Sequence, residues 1–331
     1  MYILTGGAGF IGSVTAAALE ASHAQNSEVV IVDSFGKSSK WNNVVKRHVR
    51  EIVPPHRALD FMDEHADEID AVIHFGGIAD TTEKNMDILH ENNVVFTKAL
   101  FDWCADNDTR FIFASSAAVY GGGEHGFEDS NDLREVNKLR PLHPQAWSKH
   151  LAEKYILQAP KKPSSWVILR FFNVYGPNEY HKGRMGSVVQ HAYSQARQDG
   201  TIRLFKSHID DIKNGEQKRD FIYVKDIARL ILWMLKHQNI QGIFNVGSGK
   251  ARSFNDMADI LIKNMKKKIN VEYIDIPPEI RPNYQYYTQA NMTKMIQTIT
   301  SSNTNPFEFT SLEDGIADYV NNYLTSEDPY L

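Results

Sequence analysis

Near its start the chain reads TGGAGFIGS, residues 5–13. Glycines at 6, 9 and 12 suit one kind of chemistry. They let the backbone turn tightly and approach a pyrophosphate, whose charge is met by the free N–H groups and the positive dipole end of a following helix. The turn follows a strand-like run, MYIL, and opens the helical stretch SVTAAALEAS. In that context Gly6, Gly9 and Gly12, with Phe10 and Ile11 between them, predict a dinucleotide site. Asp33, with Ser34 behind it, closes the next apolar run, EVVIVD. A carboxylate there is placed to accept hydrogen bonds from the adenosine ribose hydroxyls, which favours NAD. Lys37 and Lys40 follow closely and suit a ribose 2′-phosphate, so NADP stays open.

A second stretch, LHPQAWSKH at 142–150, puts Gln145 and Lys149 four residues apart, on one face of a helix. A glutamine amide offers two donors and an acceptor but does not titrate, so Gln145 can hold a hydroxyl without taking its proton. Lys149 can do both.

These residues need a frame. Short β-branched and aromatic runs (YILTG, EVVIVD, DAVIHFGG, RFIFASS, WVILRFF) alternate with helical stretches, the pattern of βαβ units and a parallel sheet covered on both faces. After Phe172 the rhythm becomes polar and irregular, and an α/β pattern returns with FIYVKDIARLILWML and GIFNVGSG. The expected architecture is α/β: a Rossmann doubly wound sheet over 1–172, with a return at about 218–248, and a smaller substrate lobe over 173–217 and 249–331. SHIDDIKNGEQ, within that lobe, is expected to be a surface loop. The 331 residues suffice for two such lobes.

Composition narrows the partners. A net charge of -5 gives no general attraction to nucleic acid or anionic lipid, so any phosphate site must be local. One cysteine, Cys104, excludes an internal disulfide, and no apolar run reaches the roughly 18 residues of a membrane span. The chain enters its first strand at once, without a signal-like core, so a cytoplasmic protein is expected. The thirteen histidines form no ligand-spaced cluster, and no metal is expected.

Taken in order, the glycine turn, HFGG at 74–77, Asn92, ASSAAVYG at 114–121, the Ser148–Lys149 pair and RFFNVYGP at 170–177 resemble an extended short-chain dehydrogenase/reductase of the nucleotide-sugar epimerase and dehydratase family. DTTEKN (80–85), NVYGPNEYHKGRMGSV (173–188), KRDFIYVKD (218–226) and NYQYYTQA (283–290) are most similar to its heptose 6-epimerase branch, with HKG at 181–183 the most discriminating segment. The resemblance implies a bound NAD or NADP, a nucleotide-diphosphate sugar, a homo-oligomer, and inversion of a carbon by transient oxidation and re-reduction. It extends the cofactor site to Phe75, Gly76, Gly77, Asn92, Lys149 and Phe172. It assigns the substrate to Ser116, Asn173, Lys182, Ser187, Arg219 and Tyr284. In place of Pro282–Asn283 the heptose enzymes tend to have Gly-Arg.

By the same resemblance, Ser116, Gln145 and Lys149 stand where the family keeps Ser or Thr, Tyr and Lys, and Lys182 matches a second acid/base. Gln145 is the departure. Losing a general acid/base costs roughly a hundredfold to ten-thousandfold in rate. Three readings follow: a deliberate exchange that holds substrate unreacted, a divergent binding protein, or another proton carrier, for which Lys182 is the best candidate and His143 and His181 weaker ones. Trp147 is expected to be a packing residue. Ala117 and Ala118 replace the acid pair that dehydration requires, which disfavours a dehydratase. The implied activity is epimerisation of an ADP-linked heptose, impaired by Gln145. The alternatives are a UDP-hexose 4-epimerase or a non-catalytic homologue that binds the same ligands.

Overall fold

The structure, a computed structural model, describes residues 1–22, 28–278, 280–302 and 307–331. Its strands are β1 (Tyr2–Thr5), β2 (Val29–Val32), β3 (Glu51–Val53), β4 (Ala71–His74), β5 (Arg110–Ser116), β6 (Trp166–Phe171), β7 (Asn173–Tyr175), β8 (Thr201–Phe205), β9 (Lys218–Tyr223), β10 (Gly242–Val246), β11 (Ala251–Ser253) and β12 (Asn270–Ile274). Seven of them form a parallel sheet in the order β10-β6-β5-β4-β1-β2-β3. The order reverses beside β1. In such sheets a ligand sits in the crevice beyond the strand ends at that reversal.

The strands are apolar throughout because both faces are covered. Leu4, Ile31, Ile73, Ile112 and Leu169 pack toward Ala16 and Leu19 of the Phe10–Ser22 helix and toward Ile227, Leu230 and Ile231 of the Val224–Lys236 helix. Their neighbours Ile3, Val30, Val72, Phe111 and Ile168 pack on the opposite face against Leu100 and Phe101 of Phe96–Asp106 and Ala152 and Ile156 of Pro144–Gln158. Adjacent residues point to opposite faces of a strand, so each apolar pair feeds both cores.

The smaller lobe holds two small sheets, β11-β9-β7 and β12-β8, around Tyr175, Tyr193, Phe221, Met257 and Ile316. Here the structure departs from expectation. Lys218–Tyr223, placed by sequence with the nucleotide-binding half, pairs parallel to β7 and antiparallel to β11 instead. The Val224–Lys236 helix and β10 are the parts that return to the large sheet. Short β3 was not foreseen, since Glu51 and Ile52 are exposed on an edge strand and give no apolar run. Trp147 is a second correction: it is 45% exposed on the helix surface rather than packed.

One polar pair is buried between the sheet and the Pro144–Gln158 helix. Arg170 on β6 donates from Nε (3.0 Å) and Nη2 (2.7 Å) to the two Glu153 oxygens, and Ser115 donates to the same carboxylate. Removing one member strands the other charge, which costs about 3–5 kcal/mol. Arg170→Met is therefore expected to lower unfolding free energy by about that amount in urea titrations, with Glu153→Gln/Arg170→Met losing less than Arg170→Met alone.

Candidate functional site

The site begins where β1 and β4 end side by side. Gly6 has φ +66, and a Cβ built on it would lie 2.8 Å from Gly76 N and from the Phe75 carbonyl carbon. A Cβ on Gly12 would lie 2.2 Å from the Gly6 carbonyl oxygen. Only bare backbone can pack this closely, and the result is a concave turn at the N-terminus of the Phe10–Ser22 helix. It opens into a cleft of about 550 Å³ lined by Gly6, Gly9, Phe10, Ile11, Gly12, Asp33, Ser34, Lys40, Phe75, Gly76, Gly77 and Asn92 on the large-sheet side, and by His181 and Lys182 from the small lobe. The sequence places each of these residues in or beside a ligand, and the fold brings them around one cleft.

Asp33 is almost enclosed. Its Oδ2 accepts Ala8 N–H at 2.9 Å, and its Oδ1 accepts Ser34 N–H and Lys40 Nζ, each at 2.7 Å. A carboxylate has about four acceptor positions, so one remains for a ribose hydroxyl. The ammonium of Lys40 meanwhile offsets the charge that would repel a 2′-phosphate.

A chain of hydrogen bonds runs from this turn to the Pro144–Gln158 helix. Thr97 Oγ1 donates to the Asn93 carbonyl, so it must accept from His74 Nε2 at 2.8 Å. His74 Nδ1 is then an acceptor and takes the Thr5 hydroxyl at 2.6 Å, while Thr5 Oγ1 accepts Gly76 N–H. Burial, and to a lesser degree Lys149, hold the His74 pKa well below its ordinary value, so the ring stays neutral as this pattern requires. Asn93 grips Ile78 at both its N–H and its carbonyl and donates to Ser148 Oγ, which donates to the Gln145 carbonyl. Glycine turn, Gly76–Ile78 segment and the helix bearing Gln145 and Lys149 are thereby fixed to one another.

Lys149 is buried. Its Nζ donates to the Ala114 carbonyl at 2.9 Å, lies 4.7 Å from the Phe113 ring centre, and is 3.7 Å from where a Cβ on Gly77 would stand. Burial pushes its pKa down to about 8, against the opposing pull of Glu153. Gln145 is buried one turn earlier. Ser116, at the end of β5, caps the turn Ala117–Tyr120 through Ala118 N–H. Lys182 sits 5.5 Å from the Phe10 ring centre, and burial lowers its pKa while Glu179 raises it.

Other residues land elsewhere. Phe172 is buried against Tyr120 and Phe127, off the cleft wall, because its N–H joins the Val246 carbonyl and turns the ring into the core. Ser187 caps the Val188–Asp199 helix and donates to Glu179. Asn173 is exposed at the start of β7, with Thr288 as its partner at 3.4 Å. His143 is a helix cap that accepts Ala146 N–H, and burial drives His181 down to about 4. Arg219 and Tyr284 do come together: the guanidinium lies 5.2 Å from the Tyr284 ring centre, buried without a carboxylate among the described residues, and its hydrogen bonds go to the Lys218 and Gln285 carbonyls. The Tyr284 hydroxyl is buried without a hydrogen-bond partner among the described residues. Gln285 in turn donates to Gly121, which ties this basic corner to the loop after Ser116.

Asn93 was missed for a physical reason. The stretch His90–Val95 is a π-turn, which shifts the helical phase so that spacing does not say which of two adjacent asparagines faces inward. Asn92 lines the cleft and donates to the Ile88 carbonyl, whereas Asn93 does the positioning.

The model of the NAD dependent epimerase/dehydratase family matches residues 2–247. The chain belongs to that family. Over full length it is 40% identical to the ADP-L-glycero-D-manno-heptose-6-epimerase of Fusobacterium nucleatum subsp. nucleatum and 43% identical to that of Nitratidesulfovibrio vulgaris, covering 100% of each chain in both cases. The crystal structure of the Helicobacter pylori ADP-L-glycero-D-manno-heptose-6-epimerase superimposes with a TM-score of 0.79 at 28% identity, over 97% of this chain and 95% of that one. The UDP-glucuronic acid 4-epimerase of Bacillus cereus, solved with UDP-glucuronic acid and NAD, gives 0.75 at 26%, over 97% and 99%. The glycine cradle, the open acceptor on Asp33 and the buried ammonium beside Gly77 fit the NAD of this family.

Lys40 decides how the ribose end is read. Lys40→Ala is expected to weaken NADP+ binding by about tenfold or more, the worth of a charge-assisted hydrogen bond, and to leave NAD+ binding within about threefold. Calorimetric titration with both nucleotides checks this.

Proposed function

We propose that this protein is a nucleotide-sugar epimerase of the ADP-L-glycero-D-manno-heptose-6-epimerase type, working slowly because glutamine stands at 145. The observation that carries the reading is Lys182, a half-buried amine on the small lobe that lines the same cleft as the glycine cradle. The full-length relatives and the carried-over roles of Ser116, Lys149 and Lys182 support it.

The glycine turn, Asp33 and Lys149 would hold NAD(P), which when bound would supply the acceptor and donor of the hydride exchanged with the sugar carbon. The chain's own residues must manage the hydroxyl proton and hold the sugar. Ser116 and Gln145 bind the reacting oxygen by hydrogen bonds. Lys182, its pKa lowered by burial, takes and returns the proton on its side of the cleft. Gln145 cannot do so on its own side, so a proton transfer there depends on water. The buried ammonium of Lys149 favours negative charge developing on the oxygen, and Arg219 beside Tyr284 suits the diphosphate. Asn173 and Ser187 are the further contacts that the resemblance assigns.

Gln145→Tyr is expected to raise inversion of ADP-heptose by about 10²–10⁴-fold, the usual span for a general acid/base, and Lys182→Met to abolish the residual rate. Gln145 also favours a second reading, a ligand-binding homologue without turnover. Discontinuous chromatographic assay of the two epimers separates them. No gain in Gln145→Tyr while NAD(P) still binds overturns the epimerase reading, and gain only on a UDP-hexose redirects it to a 4-epimerase.

A further inference from the structure

The segment that carries Lys182 is built as a closed loop by one buried carboxylate. Glu179, 1% exposed, accepts Gly176 N–H at 3.1 Å where the segment leaves β7, and accepts both the N–H and the hydroxyl (2.8 Å) of Ser187 where the next helix begins. Between these points the chain touches both walls of the cleft.

On the glycine-turn side, Asn178 is fully buried in the left-handed conformation, φ +73. Its amide donates to Ser13 Oγ in the Phe10–Ser22 helix at 3.0 Å. Asn43 Nδ2 bridges the Asn178 and Ala8 carbonyls, each at 3.0 Å. On the other side, Arg184 Nη2 donates to Asp80 Oδ2 at 2.9 Å and to Thr82 Oγ1 at 2.5 Å, on the loop that follows Ile78 and Ala79 of the cleft wall. Gly183, φ +52 and with open space around it, makes the kink between Lys182, which faces the cleft, and Arg184, which faces solvent.

The two anchors differ in kind. The Asn178 end is buried in a network of neutral hydrogen bonds, whereas the Arg184 side chain is 71% exposed and Asp80 35% exposed. An exposed ion pair is weak and breaks readily; a buried polar network does not.

We propose that residues 178–185 form a clasp over the dinucleotide cleft, hinged at Asn178 and latched by Arg184 on Asp80 and Thr82, so that the nucleotide is exchanged only when the latch opens. The clasp rests on the dinucleotide site alone. Only its further consequence, that closing brings Lys182 to the sugar, rests on the proposed function.

The test is release of NADH and of NADPH, each displaced by excess NAD(P)+ and followed by stopped-flow fluorescence without any sugar. Arg184→Ala and Asp80→Asn are each expected to speed release by about two- to fivefold, the span of an exposed ion pair. The exchanged pair Asp80→Arg/Arg184→Asp is expected to return the rate toward that of the parent. Arg134→Ala, which removes an exposed ion pair with Asp132 outside the cleft wall, is expected to leave it unchanged. Release that is unaltered in both latch variants, or accelerated equally by Arg134→Ala, overturns the clasp. Because no sugar is present, an inactive protein with latch-dependent release removes the epimerase reading and leaves the clasp standing.

Discussion

The structure depends on one contact, the backbone of Gly6 lying against the backbone of Phe75 and Gly76. A side chain at position 6 would push β1 and β4 apart at the point where strand order reverses, and the crevice would close over its own wall. With glycine there, Thr5 can also turn its hydroxyl to both Gly76 and His74, so the contact that makes the cradle begins the hydrogen-bond chain that reaches the Pro144–Gln158 helix. A tight backbone junction and a directional polar chain are two products of the same packing constraint.

That chain also fixes position 145. Gln145 is held through its carbonyl, by Ser148, and through its place in the first turn of a helix capped by His143. None of these contacts uses its side chain. Position 145 is thus set by main-chain bonds and by the cap of its helix. Lys149 is likewise held by the Ala114 carbonyl rather than by residue 145.

Much of this was legible in the chain. Glycine spacing, the terminal aspartate of the second strand and the continuous apolar runs follow from local rules, and they located the cleft and the parallel sheet. What the sequence hid was non-local. Lys218–Tyr223 reads as another buried strand, and only its pairing with β7 and β11 assigns it to the small lobe. Phe172 sits next to motif residues yet turns into the core, because a single register with Val246 sets its direction. The structural parts of Glu179, Asn178 and Asn43 depend on burial between lobes, which no periodicity signals. Asn93 was concealed by a phase shift within its own helix.

A nicotinamide dinucleotide is expected between the glycine turn and the Gly76–Ile78 segment. Amide hydrogen exchange on the protein with and without saturating NAD+ measures this most directly. Slowed exchange confined to residues 6–13, 76–79 and 181–183 is the result this account predicts. Unchanged exchange at 6–13 and 76–79, or protection centred on the Arg219–Tyr284 corner alone, would contradict it.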